Sequence, residues 1–373
     1  MHTPNTASPP SPISTPADLA SVIASFAPHA KLALDTEFLR ERTYLAELAL
    51  VQISDGTQIS LIDPLAGISL DSLAQLFMDP TRTKVLHAAR QDIEVLLPLT
   101  LNPLAPIFDT QIAAALLGMP VQIGYADLVL RELGITLEKS QTRTDWTKRP
   151  LSEAQLHYAA DDVRWLLPLA ERLEDRLHNS GRLAWLIEDC ATLINPAIYR
   201  MNPIDAWQRL KGVQSLPPSE QQRLRALAAW REARAQRRNL PRSWVLTDDA
   251  IRAIAQRAPT DIAGLQRLAV MPVGASEKFW PEIKETLALA AEQPPNGITQ
   301  TVDVKPSPEE QAAAKRLAER MRTLAQSLNL LPEVLGTQRD LRRIASGEPP
   351  LTVLSGWRAE ILADPLAQAL AGG

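Results

Sequence analysis

The chain of 373 residues has a single cysteine, Cys190. One thiol excludes an intramolecular disulfide framework and fits a reducing cytoplasm; the residue reads as a small buried hydrophobe. No window offers about 18 uninterrupted apolar residues, so no membrane span is expected. The most lipid-like stretch, Ile112 to Val129, is broken by Gly118, Pro120 and Gly124. The N-terminus lacks the basic and apolar regions of a signal peptide; it is rich in Pro, Ser and Thr and reads as a disordered lead. Positive charge is short too. The net charge of −4, taken as a sum, argues against a nucleic-acid binder, although distribution matters more than the sum. Strand signals vanish past residue 200.

What is present suits a soluble protein of two or three domains, with 45% hydrophobic residues to bury. Asp35 and Glu37 close the apolar run Lys31 to Phe38. In a strand, positions i and i+2 share a face, so both carboxylates converge on one spot. They repel unless a positive charge lies between them, and a divalent cation is the simplest resident. Downstream, Asp92 follows the short apolar run Lys84 to His87 and falls at a strand-to-helix turn, where it could cap the helix or hold a metal. Tyr158 and Asp162 are four apart in a helical segment and share a face. Asp161 is rotated about 100° away, so Asp162 is the better candidate.

The ordered set Asp35-x-Glu37, Asp92 and Tyr158-x-x-x-Asp162 resembles the three motifs of the DEDD exonuclease superfamily, tyrosine branch. His87-Ala-x-x-x-Asp92, Phe108-Asp-Thr-Gln111, Lys139-Ser140, Asp145-Trp146, Arg149-Pro-Leu151 and Tyr158-Ala-Ala-Asp-Asp-Val163 narrow the resemblance to bacterial ribonuclease D, over about residues 16 to 200. Further on, Trp230-Arg-Glu232, Asn239-Leu-Pro-Arg242 and Trp244-Val-Leu-x-Asp248 resemble an HRDC domain, a helical module shared by helicases and ribonuclease D.

Three strands are expected over residues 31–38, 45–54 and 58–62, with Asp55-Gly56 as a hairpin turn. A helix near 70–77, a strand over 84–88, a helix from Asp92 and a short strand at Ile107-Phe108 follow. This order fits an α/β mixed sheet flanked by helices, and the resemblance implies the ribonuclease-H-like exonuclease fold. The chain divides into a disordered lead (1–15), an exonuclease domain (16–201), an all-α HRDC domain (202–288), a linker (289–307) and a second HRDC-like helical domain (308–373). Ser219 and Gln222 have the spacing of a capping box for the helix 219–238. Pro168 should kink or end the helix that carries Tyr158 and Asp162.

The resemblance implies two divalent ions, Mg²⁺ or Mn²⁺, held by Asp35, Glu37, Asp92 and Asp162, with Tyr158 orienting the attacking water. It implies a 3′→5′ exoribonuclease that releases 5′-mononucleotides and matures tRNA precursors. A monomer in the cytoplasm is the default. Between Arg223 and Arg242 seven arginines face one acid, Glu232, a local excess able to neutralise phosphates or simply to solvate a helix. Lys139, Arg143, Arg149, Arg234, Arg237 and Arg238 are the candidate RNA contacts; Asp109 and Thr110 read as a helix cap. A DNA exonuclease of the same superfamily would use the same carboxylates, and a non-catalytic nucleic-acid-binding protein is the third alternative.

Overall fold

The computed structural model describes residues 9–28, 31–138, 144–292 and 306–371. Five strands form one sheet in the order β3-β2-β1-β4-β5, with β1 (Leu32–Leu39) in the middle. The hairpin partners β2 (Glu47–Ser54) and β3 (Ile59–Ile62) run antiparallel. Asp55 closes their turn by accepting from the amides of Thr57 and Gln58, both at 2.9 Å. β4 (Lys84–Leu86) pairs in parallel with β1 and with β5 (Ile107–Asp109). Parallel pairs require crossovers, and helices supply them.

Ala49 to Ser54 are buried on both faces of β2, as in a sheet covered on each side. The covering helices are α1 (Pro16–Ser25), α2 (Asp71–Met78), α3 (Arg90–Thr100), α4 (Thr110–Leu116), α5 (Tyr125–Leu133), α6 (Glu153–Arg164), α7 (Leu166–Asn179) and α8 (Leu183–Leu193). Lys84 is buried inside this core and donates to the carbonyls of Asp79, Arg82 and Ala105 at 2.6–3.0 Å. Burial lowers its ammonium to about 8.

Two local expectations change and one holds. Residues 1–8 of the lead lie outside the described residues, but its last part is tied down: Ile13 bridges Ile62 in parallel, donating to Leu61 O at 2.7 Å. The helix containing Tyr158 ends at Arg164, with Trp165 as its cap, ahead of Pro168 as expected. A proline ring collides with the carbonyl four residues back, here Arg164, while within the first turn of α7 its missing N–H is no loss. Ser219 forms no cap; the helix begins at Pro218 with Pro217 as its N-cap residue.

The chain separates into two compact units. The first contains the sheet and its helices, residues 48–196 among them, together with the chain from Pro306 onward. The second contains Arg40–Glu47 and the chain from Ala197.

In the second unit, α9 (Pro218–Arg238), α10 (Arg242–Val245), α11 (Asp248–Arg257), α12 (Ile262–Arg267) and α13 (Val273–Glu292) enclose a core of Leu224, Leu227, Ile251, Ile254 and Ile283. Helix α13 thus continues into the expected linker, the middle of which lies outside the described residues. From the strap Arg40–Glu47, Tyr44 donates its hydroxyl to the buried Glu232, which Arg242 grips at 2.6 and 2.7 Å.

The C-terminal part of the first unit repeats the same helix order: α14 (Pro308–Ser327), α15 (Pro332–Leu335), α16 (Gln338–Ala345), α17 (Pro350–Val353) and α18 (Gly356–Ala371). Its core is continuous with that of the nuclease. Trp357 stacks on Trp185 at 4.2 Å and donates its indole N–H to Asp189 at 3.0 Å. Arg358 grips the same carboxylate at 2.5 and 2.9 Å. Gly118 (φ +85) is needed at this seam, since a Cβ there would stand 2.5 Å from the carbonyl oxygen of Asn329.

Candidate active site

β1 brings Asp35 and Glu37 to one face, and α6 lays Asp162 against them. One carboxylate oxygen from each of the three lies within 4.8 Å of the others. Asp161 turns away and pairs with Arg164 at 2.8 Å. Helix α6 is fixed at its start by a capping box in which Ser152 and Gln155 satisfy each other's amides. Thus the residue four positions after Tyr158 meets the strand.

Asp92 sits in the first turn of α3, buried, and accepts from the Thr36 hydroxyl at 2.6 Å. It stands outside the cluster of three, yet its charge still raises Asp35. Thr36, between the two strand acids, was not anticipated; its place in Asp-Thr-Glu was the only available signal.

Asp109 caps α4 and also reaches back to the amides of Ala88 and Ala89, at 3.2 and 2.8 Å. Those four amides give one carboxylate control of the turn before Asp92, where Ala88 adopts φ +56. Asp109 is therefore a positioning residue. His87 is held between Thr110 and the carbonyl of Ile123, at 2.9 and 3.0 Å, a satisfied, half-buried histidine.

The electrostatics are those of a site built around cations. Burial first, and then repulsion from Asp92, Asp162 and Glu37, pushes Asp35 well above the ordinary carboxylate range. Burial likewise raises Glu37 to about 9 and Asp162 to about 8, and Asp92 to about 7. Clustered, partly buried carboxylates form an all-oxygen donor set, which fits hard divalent ions and not zinc.

Tyr158 hydrogen-bonds to Asp162, and burial followed by repulsion from the carboxylates raises its phenol far above the usual value. It stays protonated. Its ring rests against the buried Trp146 at 6.0 Å, within a cluster of Ala49, Leu50, Leu61, Leu151 and Ala159.

The expected RNA contacts fare differently. Lys139 and Arg143 lie outside the described residues. Arg149 grips Asp63 with two nitrogens, each at 2.7 Å, and donates to the carbonyls of Ala49, Trp146 and Lys148. It braces the loop carrying Trp146. Arg234 pairs with Glu282 and lies over Phe279 at 4.9 Å. In both, the guanidinium already meets acceptors inside the fold.

Most of the arginine run behaves the same way. Arg223 donates to Ala255 O at 2.6 Å, Arg225 covers the Trp207 ring at 4.0 Å, and Arg231 is buried against Asp248 at 2.6 Å. Helix α9 is the central helix of its module, so Arg223, Arg225, Arg231 and Arg234 meet partners within it. Arg237 and Arg238, at its end, are exposed.

A mixed sheet with these acids at its central strand defines the class, a metal-dependent 3′→5′ exonuclease. Residues 10–178 match the family described as 3′-5′ exonuclease, and residues 220–287 match the HRDC domain. Ribonuclease D of Acidiphilium cryptum is 38% identical, over 97% of this chain and 93% of the relative. Ribonuclease D of Pseudomonas paraeruginosa is 38% identical, over 91% and 92%. The crystal structure of Escherichia coli RNase D, described as an exoribonuclease involved in structured RNA processing, superposes with a TM-score of 0.86 at 30% identity, covering 96% of this chain and 98% of that one.

The chain belongs to the ribonuclease D family and is a hydrolytic 3′→5′ exoribonuclease that uses two divalent ions. Among the described residues no helix is long and apolar enough to cross a membrane.

Proposed function

We propose that this enzyme trims RNA 3′ ends one nucleotide at a time, releasing 5′-monophosphates, and that tRNA precursors are its substrates. The reading includes a monomer working in the cytoplasm, which the lone buried thiol favours; burial pushes the Cys190 thiol up to about 12, leaving it unreactive. One observation carries the catalytic part: Asp35, Glu37 and Asp162 converge within 4.8 Å, with carboxyls whose affinity for protons is raised by burial and mutual repulsion.

Asp35, Glu37 and Asp162 would hold one ion, and Asp92 with Asp35 the other. Bound there, such ions supply an activated water, a neutralised phosphate and a stabilised leaving oxygen. The protein's own groups do the aligning. Tyr158, kept protonated, holds a hydrogen bond at Asp162 and orients water without removing a proton. Thr36 fixes Asp92, and Asp109 fixes the turn that presents it. Of the exposed arginines, Arg237 and Arg238 are the phosphate contacts.

The test is a time course on 5′-labelled single-stranded RNA and on its DNA counterpart with Mg²⁺ or Mn²⁺, beside Asp35→Ala. A stepwise ladder on RNA, abolished by EDTA and by the substitution, is the expected result. A ladder mainly on DNA would transfer the site to the other sugar, and binding without cleavage would refute the catalytic assignment.

A further inference from the structure

The two helical modules are related by a constant offset of ninety residues. Pro218 and Pro308 each open the long first helix. Leu227 and Leu317 are buried, as are Ala235 and Ala325. Asn239 (φ +48) and Asn329 (φ +51) end that helix in the left-handed region. The next amide returns to the buried alanine in both copies, Leu240 N to Ala235 O at 3.0 Å and Leu330 N to Ala325 O at 2.8 Å. Thr247 and Thr337 cap the following helix, and Ile254 and Ile344 are buried on it. The register holds from 218 to about 254, so faces can be compared position by position.

The corner after the first long helix differs between the copies. In the second it docks onto the nuclease core. The Leu328 carbonyl accepts from Arg182 and Gly118 makes room for Asn329, while Val334 is buried, its carbonyl accepting from Arg358 of its own module at 2.8 Å. Ninety residues earlier the same positions read Arg238 for Leu328, Arg237 for Ser327 and Trp244 for Val334. Both arginines are exposed, and Trp244 is 57% exposed. Beside them the strap residue Leu45, also exposed, donates its amide to Asn239 at 3.0 Å. That strap continues the strand that carries Glu37.

Two exposed arginines at the end of α9 and an exposed tryptophan in α10, the short helix that follows, have the composition of a stacking platform with phosphate contacts. A protein partner of the kind that covers the second copy would want the leucine and valine found there, and charge complementarity selects a polyanion instead. Resting on the exoribonuclease reading above, we propose that the Arg237–Arg238–Trp244 corner of the first module docks the single-stranded RNA upstream of the scissile end. Trp244 stacks one base there. In the second copy the equivalent corner is the nuclease-docking face.

Trp244→Ala, Trp244→Phe and Arg237→Ala/Arg238→Ala are compared with the wild-type full chain on a 20-nucleotide and a 4-nucleotide RNA. Affinity in EDTA and steady-state cleavage in Mg²⁺ are both measured. Loss of one base stack should weaken binding and raise KM on the long RNA about 5- to 150-fold. The same change should leave kcat on it, and cleavage of the short one, unaltered, and phenylalanine should restore most of the affinity. The arginine pair should lower the salt slope by about 0.7 per contact. Unchanged long-RNA affinity in Trp244→Ala, or an equal loss on the short RNA, would overturn the assignment. Binding in EDTA is independent of catalysis, so a wild-type protein that cleaves no RNA would refute the enzymatic reading while the corner is judged by affinity alone.

Discussion

Replacing Asp35 with asparagine should make the metal-free protein more stable, increasingly so as pH rises, although it abolishes catalysis. Asp35 is held well above the ordinary range by burial and by Asp92, Asp162 and Glu37. Glu37, at about 9, Asp162, at about 8, and Asp92, at about 7, are raised with it. All four folded values exceed the unfolded ones, so from roughly pH 4 to 9 the native state binds the extra protons. Stability from these protonated carboxyls is complete below about pH 4 and is lost as pH climbs through the folded values. Each extra native proton lowers stability by about 1.4 kcal/mol per pH unit.

Asparagine removes one of the four charges and most of what it imposes on its neighbours. Relaxation and water entry discount the full electrostatic figure, leaving a gain on the order of 1–3 kcal/mol near pH 8. For a folding unit of 150–250 residues this is about 2 to 12 °C in Tm. Thermal unfolding of wild type and Asp35→Asn in EDTA between pH 5 and 8.5 reads it directly. With Mg²⁺ the order should reverse, because only the wild type gains the bound ions, and metal binding should release protons in calorimetry. A variant that melts below wild type in EDTA at pH 8, or by a margin independent of pH, would show that the carboxylates do not repel one another as described.

Other consequences follow from single contacts. Tyr158→Phe should lower kcat on the order of 10²-fold through misplaced water while leaving Mn²⁺ affinity intact; weakened Mn²⁺ binding would instead make the phenol part of the metal shell. Asp109→Asn places an amide where Ala88 and Ala89 donate, so Mn²⁺ affinity, titrated without substrate, should fall together with kcat while RNA affinity in EDTA holds. Asp189→Ala strands the Arg358 guanidinium and the Trp357 indole. It should cost about 3–5 kcal/mol in denaturant unfolding and expose the C-terminal helices to protease, and a loss below about 1 kcal/mol would mean the seam does not depend on that carboxylate.

The convergence of Asp35 with Glu37, and of Tyr158 with Asp162, was legible because strand and helix periods alone bring those pairs to a common face. The choice of Asp162 over Asp161 rested on the same period. Asp109 was read as a cap, which it is. Its second grip, on the amides of Ala88 and Ala89, joins residues twenty positions apart and leaves no local trace. Thr36 is a related case: alternation sends it away from Asp35 and Glu37, and only the packing of α3 against β1 gives its hydroxyl Asp92 to bind.

The arginine run shows the limit most clearly. A cluster of like charges normally signals a solvated or ligand-binding face, but this inference assumes that the helix has a solvent side. α9 is packed against the short turn Pro203–Arg209, α11 and α13, so Arg223, Arg225, Arg231 and Arg234 are satisfied by carbonyls, carboxylates and aromatic rings of their own module. Only beyond the packed turns, at Arg237 and Arg238, does the helix regain a solvent side. The ninety-residue repeat was in the sequence throughout, carried by proline, asparagine and threonine at fixed intervals. Its core positions tolerate Ile for Leu and Met for Arg, and its corner was rewritten from basic and aromatic to aliphatic. That exchange has a physical direction: a corner that docks on protein must shed charges it cannot pair, whereas a corner that holds a polyanion must keep them.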